Sequence, residues 1–290
     1  MNIGIIGLGL IGGSFAKAIK KCTNFKVLGY DISDDVMRKA NLIEAIDDEL
    51  TLDNIGQMDM VIIALNPQAV CDTLDKIVAK LKNGAIIFDI AGNKTLVVGK
   101  MRKLQKQYEN INFLSTHPMA GKEFSGLEHA TANLFCNAML VLIPICQNLT
   151  VLTLVKNFML ELGFLKVIIS TEKEHDKIIA YTSQLPHIIS SCYVKSATAP
   201  NHFGFSAGSF KDLTRVAKLN PTMWEELFLQ NKDNLLAEIE ALQNRLQEYK
   251  EAINSNNAQK LTALLQDGND KKEMIDKATR VLLRSDNENN

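Results

Sequence analysis

The sequence predicts an α/β fold, in which a parallel sheet covered by helices on both faces is followed by an all-helical part. Three observations predict it. Short apolar runs alternate with helix-period stretches over residues 1–170, the pattern of βαβ units. A glycine-rich turn directly follows the first of these runs. After about Ser170 strand signals become rare and helical periodicity takes over.

Residues 2–6 read as a buried strand, and a helix follows the glycine turn from about Ile11 to Lys20. KVLGY, 26–30, reads as the second strand. Further strands are expected at 59–64, 85–88 and 112–114, separated by helices over 33–40, 68–81 and 94–107. Strands at 138–143 and 166–169 complete the same sheet, with an apolar-periodic helix over 149–162 between them. The domain boundary is expected at 170/171, and no Gly/Ser- or Pro-rich linker marks it, so the halves should pack rigidly. In the second part Leu235, Ile239, Leu242, Leu246, Tyr249 and Ile253 alternate steps of four and three, the spacing of a helix seam. Trp224 and Phe228 extend the stripe backwards in register. Such a stripe packs either within its own domain or against a second subunit, and its length favours a homodimer. The polar tail SDNENN, 285–290, is expected to fray.

The 290 residues suit two domains. With 46% hydrophobic and 22% charged residues the chain has a globular composition. A net charge of −1 supplies no basic field for nucleic acid or an anionic membrane. An anionic small-molecule substrate would need individually placed Arg, Lys or His side chains. No apolar run approaches the ~20 residues of a membrane span, and the first residues lack a basic leader region, so a cytoplasmic protein is expected. The five cysteines are scattered without a C-x-x-C, which reads as reduced thiols, and no metal site is expected.

Residues 7–12, GLGLIG, form a G-x-G-x-x-G motif between a strand and a helix. Gly7 permits the tight turn, Gly9 lets backbone approach a pyrophosphate, and Gly12 lets helix pack on strand. The N–H groups of the first turn, at Leu10, Ile11 and Gly12, would face the phosphates. Asp31 ends the second strand, where a carboxylate accepts from ribose hydroxyls and repels a 2′-phosphate, so NAD is expected over NADP. The plain alternative is an unliganded turn and a solvent-facing acid.

His117 follows the strand at 112–114, at the carboxyl end of the sheet where clefts form. An imidazole suits the proton removal that alcohol oxidation requires; alone, it could equally be structural. QLPH, 184–187, opens a helical stretch with His187, and Ser183 precedes it. SFKDLTRVAKLNPTMW, 209–224, places Lys211, Asp212 and Arg215 around one expected helix start. Arg215 could clamp a carboxylate with Asp212 holding it, or KDLTR could be a solvated first turn.

Together GLGLIG with Asp31, HPMAGKE-x-SG from His117, LPH ending at His187 and FKDLTR-x-A-x-x-x-P-x-M-W ending at Trp224 resemble the prephenate and arogenate dehydrogenases. The resemblance implies a Rossmann-type NAD-binding domain, an all-α C-terminal dimerisation domain and chemistry on a cyclohexadienol diacid in tyrosine biosynthesis, with prephenate expected over arogenate. It implies that His117 takes the ring hydroxyl proton, Arg215 holds a carboxylate, His187 positions the substrate side chain and Glu123 is an acid of the site. Two departures stand out. Gly92 occupies a position where many relatives carry a serine that orients the histidine, and Gln184 one where several carry histidine. Asn93 is then expected either to reach towards His117 or the nicotinamide ribose, or to cap the helix at Lys94. Neither an appended ACT domain nor a preceding chorismate mutase segment is expected. Rival readings are a β-hydroxyacid dehydrogenase, which would use a lysine, and an inactive NAD-binding sensor.

Overall fold

The structure, a computed structural model, describes residues 1–287. Eight strands form one sheet: β1 Asn2–Ile6, β2 Lys26–Tyr30, β3 Asp48–Glu49, β4 Met60–Ile63, β5 Ile86–Asp89, β6 Asn112–Pro118, β7 Met139–Pro144 and β8 Lys166–Ile169. Their order is β3-β2-β1-β4-β5-β6-β7-β8. The order reverses at β1, between β2 and β4, and ligands collect at such a crevice. Helices α1 Leu10–Cys22, α2 Asp34–Leu42, α3 Pro67–Ile77, α4 Thr95–Gln107 and α5 Leu149–Glu161 connect the strands. β4 and β5 are buried at every residue, as strands covered on both faces must be. Two apolar cores result, one built around Phe15, Phe88 and Phe135, the other around Ile63, Leu74 and Phe113.

Two expectations need correction. The sheet is not wholly parallel: β7 runs antiparallel to β6, pairing His117 with Val141 and Pro118 with Leu140. That pairing carries β6 past the end of β5, whose last partner is Ser115. His117 therefore lies inside a strand, not in a loop after it. The second correction concerns the helical stripe. Trp224 and Phe228 lie on α9, Pro221–Gln230, which ends at Asn231; Leu235 and its successors lie on α10, Lys232–Asn254. The stripe is not one helix, because Asn231 turns its side chain inward to bond Asp176 O and Gln184 Oε1, both at 2.8 Å.

Every described element after β8 is helical: α6 Glu172–Ile179, a π-helical turn Ala180–Gln184, α7 Leu185–Tyr193, α8 Gly208–Thr214, α9, α10 and α11 Ala258–Asn287. The chain groups into two compact units, Met1–Leu235 and the remainder from Leu236. Within the second, Tyr249 Oη donates to Leu264 O at 3.2 Å. Leu246 and Ile253 of the stripe are exposed in the single chain. Of the tail expected to fray, residues 285–287 complete α11, and 288–290 lie outside the described residues. No described helix is long and apolar enough to cross a membrane.

Candidate active site

The glycine turn fits a dinucleotide. Gly7 has φ +91°, and a Cβ there would stand 2.5 Å from Ala64 O; one at Gly12 would stand 1.9 Å from Gly7 O. Both positions therefore require glycine. At Gly9, by contrast, a Cβ would meet nothing within 4 Å, so open space lies over the start of α1. That start has no side-chain cap and no acidic residue in its first turn, leaving N–H groups at Leu10, Ile11 and Gly12 for an anion. Asp31 is half-buried at the end of β2. Its Oδ2 accepts from Leu8 N at 2.8 Å and its Oδ1 from Ser33 N at 3.0 Å. Each oxygen keeps a lone pair for a ribose hydroxyl, so Asp31 also holds the turn it serves.

His117 is half-buried on β6. Its Nδ1 lies 2.8 Å from His175 Nε2, and His175 Nδ1 lies 2.8 Å from Asp176 Oδ1. Among the described residues the only sealed-off side-chain polar atom without a partner is Gln230 Oε1. His117 Nε2 has no hydrogen-bond partner among the described residues and is not one of those sealed-off atoms. Burial holds the His117 pKa well below the ordinary histidine value, with His175 and Lys94 adding to the effect. The ring is neutral near pH 7 and able to accept a proton.

His175 and Asp176 had no place in the sequence reading, since an His-Asp pair at a helix start reads as a solvated turn. Asp176 is instead buried and caps α4 from α6. Its Oδ1 accepts from Lys94 N, and its Oδ2 from Thr95 N and Thr95 Oγ1. Burial raises its pKa, but the bonds from His175, Thr95 and the backbone outweigh that and hold the carboxyl below its ordinary value. Farther along, Arg102 grips Glu172 with two bonds, 2.5 and 2.9 Å. Beneath β6, Lys94 is fully buried and donates to Asp89 at 2.5 Å, Ser115 at 3.2 Å and Thr116 O at 2.7 Å. Burial lowers its pKa against the opposing pull of Asp89 and Asp176.

Asn93 neither bonds His117 nor caps α4. Its Nδ2 donates to Leu227 O at 2.7 Å and its Oδ1 accepts from Gln184 Nε2 at 2.9 Å. The α4 cap position is Lys94, with no side-chain cap from its own residue. Gln184, 1% exposed, joins Asn93 to Asn231 in a buried amide ladder. A Cβ at Gly92 would meet Leu227 Cδ2 at 3.3 Å, a tight fit against a side-chain end.

Lys211 and Asp212 lie within α8, and Arg215 caps its C-terminus, not a helix start. Arg215 pairs with Glu123 and not with Asp212, because Glu123 lies across from it on the loop after His117. Its own backbone N–H and then Arg215 hold the Glu123 carboxyl below its ordinary pKa. His187 Nδ1 bonds Val216 O at 2.9 Å, and its ring packs 4.0 Å from that of Trp224. Burial, then Arg215, lowers its pKa. Ser183 sits half-buried in the π-helical turn, and its side chain makes no hydrogen bond among the described residues. The structure thus gathers Arg215, Glu123, His187 and Trp224, and links His117 to two residues the sequence did not flag.

The family model for the prephenate dehydrogenase nucleotide-binding domain matches residues 15–168, and that for the prephenate dehydrogenase dimerization domain matches residues 171–267. The chain is 34% identical over 274 residues to a prephenate dehydrogenase of Lactococcus lactis subsp. cremoris, covering 91% of this chain and 74% of that one. It is 32% identical over 266 residues to a cyclohexadienyl dehydrogenase of Zymomonas mobilis subsp. mobilis, covering 88% and 89%. Among solved structures, prephenate dehydrogenase from A. aeolicus, in complex with hydroxyphenyl propionate and NAD+, superposes with a TM-score of 0.83 at 28% identity, covering 95% of this chain and 98% of that one. The two domain models cover most of the chain, and on these matches it belongs to the prephenate and arogenate dehydrogenase family.

Proposed function

We propose that the protein oxidises and decarboxylates prephenate to 4-hydroxyphenylpyruvate. The observation that carries the reading is the Arg215–Glu123 pair, which brings the carboxylate-binding candidate onto the loop that follows His117. NAD is supported by the open first turn of α1, by Asp31 and by the NAD+ in the A. aeolicus complex. When bound, NAD supplies the hydride acceptor.

The chain's own groups do the rest. Arg215 binds a substrate carboxylate; its exposed pairing with Glu123 holds weakly and yields readily. His187, braced by Val216 O and Trp224, orients the side chain of the substrate. His117 Nε2 takes the hydroxyl proton as the ring C–H hydride departs and the ring carbonyl forms. The ring C–carboxylate bond then breaks, its electron pair enters the ring, carbon dioxide leaves, and the proton on His117 returns to the phenol oxygen. Residues 171–290 act in this reading as the substrate and dimerisation domain of a homodimer, in keeping with the dimerization model and the exposed Leu246 and Ile253.

Steady-state kinetics with prephenate and arogenate, each with NAD and NADP, tests the proposal. Prephenate with NAD should give the highest kcat/KM. A preference for arogenate, the second reading favoured by the cyclohexadienyl relative, would reassign the substrate, and turnover of neither would remove the proposal.

A further inference from the structure

We propose that His175 and Asp176 are positioning residues that set the tautomer of His117, with its proton on Nδ1 and its lone pair on Nε2. The proposal rests on the role as base given to His117 above.

Asp176 anchors the relay. Three donors converge on its carboxylate beside the His175 ring: Lys94 N on Oδ1, and Thr95 N and Thr95 Oγ1 on Oδ2. Such bonds favour the charged form, and the carboxyl is held below its ordinary pKa, so the group is an anion near pH 7. Its place at the start of α4 favours that charge further. An anionic acceptor makes His175 Nδ1 the donor. A neutral imidazole has one N–H, so His175 Nε2 carries a lone pair and accepts. A second proton on His175 would put a cation in a buried place already facing the Lys94 ammonium, with Asp176 and Asp89 as the anions and His117 as the other titratable group about it. The 2.8 Å contact then requires His117 Nδ1 to be the donor. Its Nε2, which has no partner in the protein, is left as the base. The opposite tautomer would point an N–H at the substrate hydroxyl and could take no proton from it.

The relay is also rigid. Asp176 is pinned by α4, which Arg102 holds to α6 through Glu172. His117 is pinned by its pairing with β7. This arrangement supplies what a side chain at Gly92 does not.

The test uses two variants and a measurement that needs no turnover. His175→Phe removes the acceptor and fills the space. His175→Gln returns a carbonyl oxygen near the Nε2 position. We expect kcat to fall on the order of 10²-fold in His175→Phe, with KM for prephenate and for NAD changed less than about threefold, and to recover in large part in His175→Gln. The chain has five histidines, few enough to resolve by 15N NMR of the imidazoles. In the wild type His117 should show the Nδ1–H signature, and in His175→Phe a mixture of tautomers. An Nε2–H signature for His117 in the wild type would overturn the relay, as would a folded His175→Phe with wild-type kcat. Should the wild type turn over neither prephenate nor arogenate, the proposed function fails, and the NMR signature still decides the relay. Should His175→Phe not fold, the His175→Gln spectrum and its kcat decide.

Discussion

In the proposed mechanism His117 and Arg215 act at different stages, so they should separate under mutation. A base acts in the transition state, so His117→Asn should lower kcat roughly 10²–10⁴-fold with KM little changed, read by steady-state kinetics. A near-normal kcat would take the histidine out of the mechanism. A carboxylate clamp at Arg215 would bind ground and transition states alike, so Arg215→Ala should chiefly raise KM. Asp31 has two tasks, which a pair of variants can part. Asp31→Ser should narrow the NAD-over-NADP preference by about 1–3 kcal/mol, the size of a lost charge-assisted bond with relieved repulsion. Asp31→Asn keeps an acceptor for Leu8 N and removes the charge, so it should narrow the preference with less loss of thermal stability. Equal use of both cofactors by the wild type would contradict this account of Asp31.

At the scale of elements, the buried amide ladder of Asn93, Gln184 and Asn231 ties the turn before α4 to the π-helical turn and to the end of α9. Asn93→Ala leaves a buried bonding partner short, so it should lower unfolding stability by about 1–3 kcal/mol while kcat per folded enzyme stays near wild type. Denaturant titration beside active-site kinetics reads both. The strands were legible in the sequence because Met60–Ile63 and Ile86–Asp89 are buried on both faces and so read as unbroken apolar runs. The last residues of β6 were not, since Ser115-Thr116-His117-Pro118 has no strand pattern and is extended by its partner β7. The glycine turn, Asp31 and His117 could be picked out because their chemistry is local. Asn93 was misjudged because its partners stand 91 and 134 residues away. His175 escaped notice because it meets His117 across 58 residues. On α10, Leu246→Glu should weaken a homodimer formed through the exposed stripe, detected as a lower mass by light scattering. A wild type that is monomeric at micromolar concentration would return the stripe to packing within one chain.

For the molecule as a whole, three histidines, His117, His175 and His187, hold pKa values lowered chiefly by burial. Unfolded histidines take up protons below about pH 6.5, whereas these take them up only at lower pH while folded. The unfolded state then binds more protons, so stability is full above that pH and declines as pH falls. Thermal midpoints measured from pH 8 to pH 5 should begin to drop near pH 6.5, and a flat profile would contradict the buried neutral rings. The whole chain also has a time structure, which follows from the place of His117 on β6. Its backbone is locked to β7, while residues 121–125, with Glu123 among them, lie exposed on the loop beyond. Hydrogen–deuterium exchange should therefore be slow through residues 113–117 and fast through 121–125, with ligand slowing only the latter. In the proposed mechanism the base then stands ready before any substrate arrives, and the loop is what a ligand would set in order.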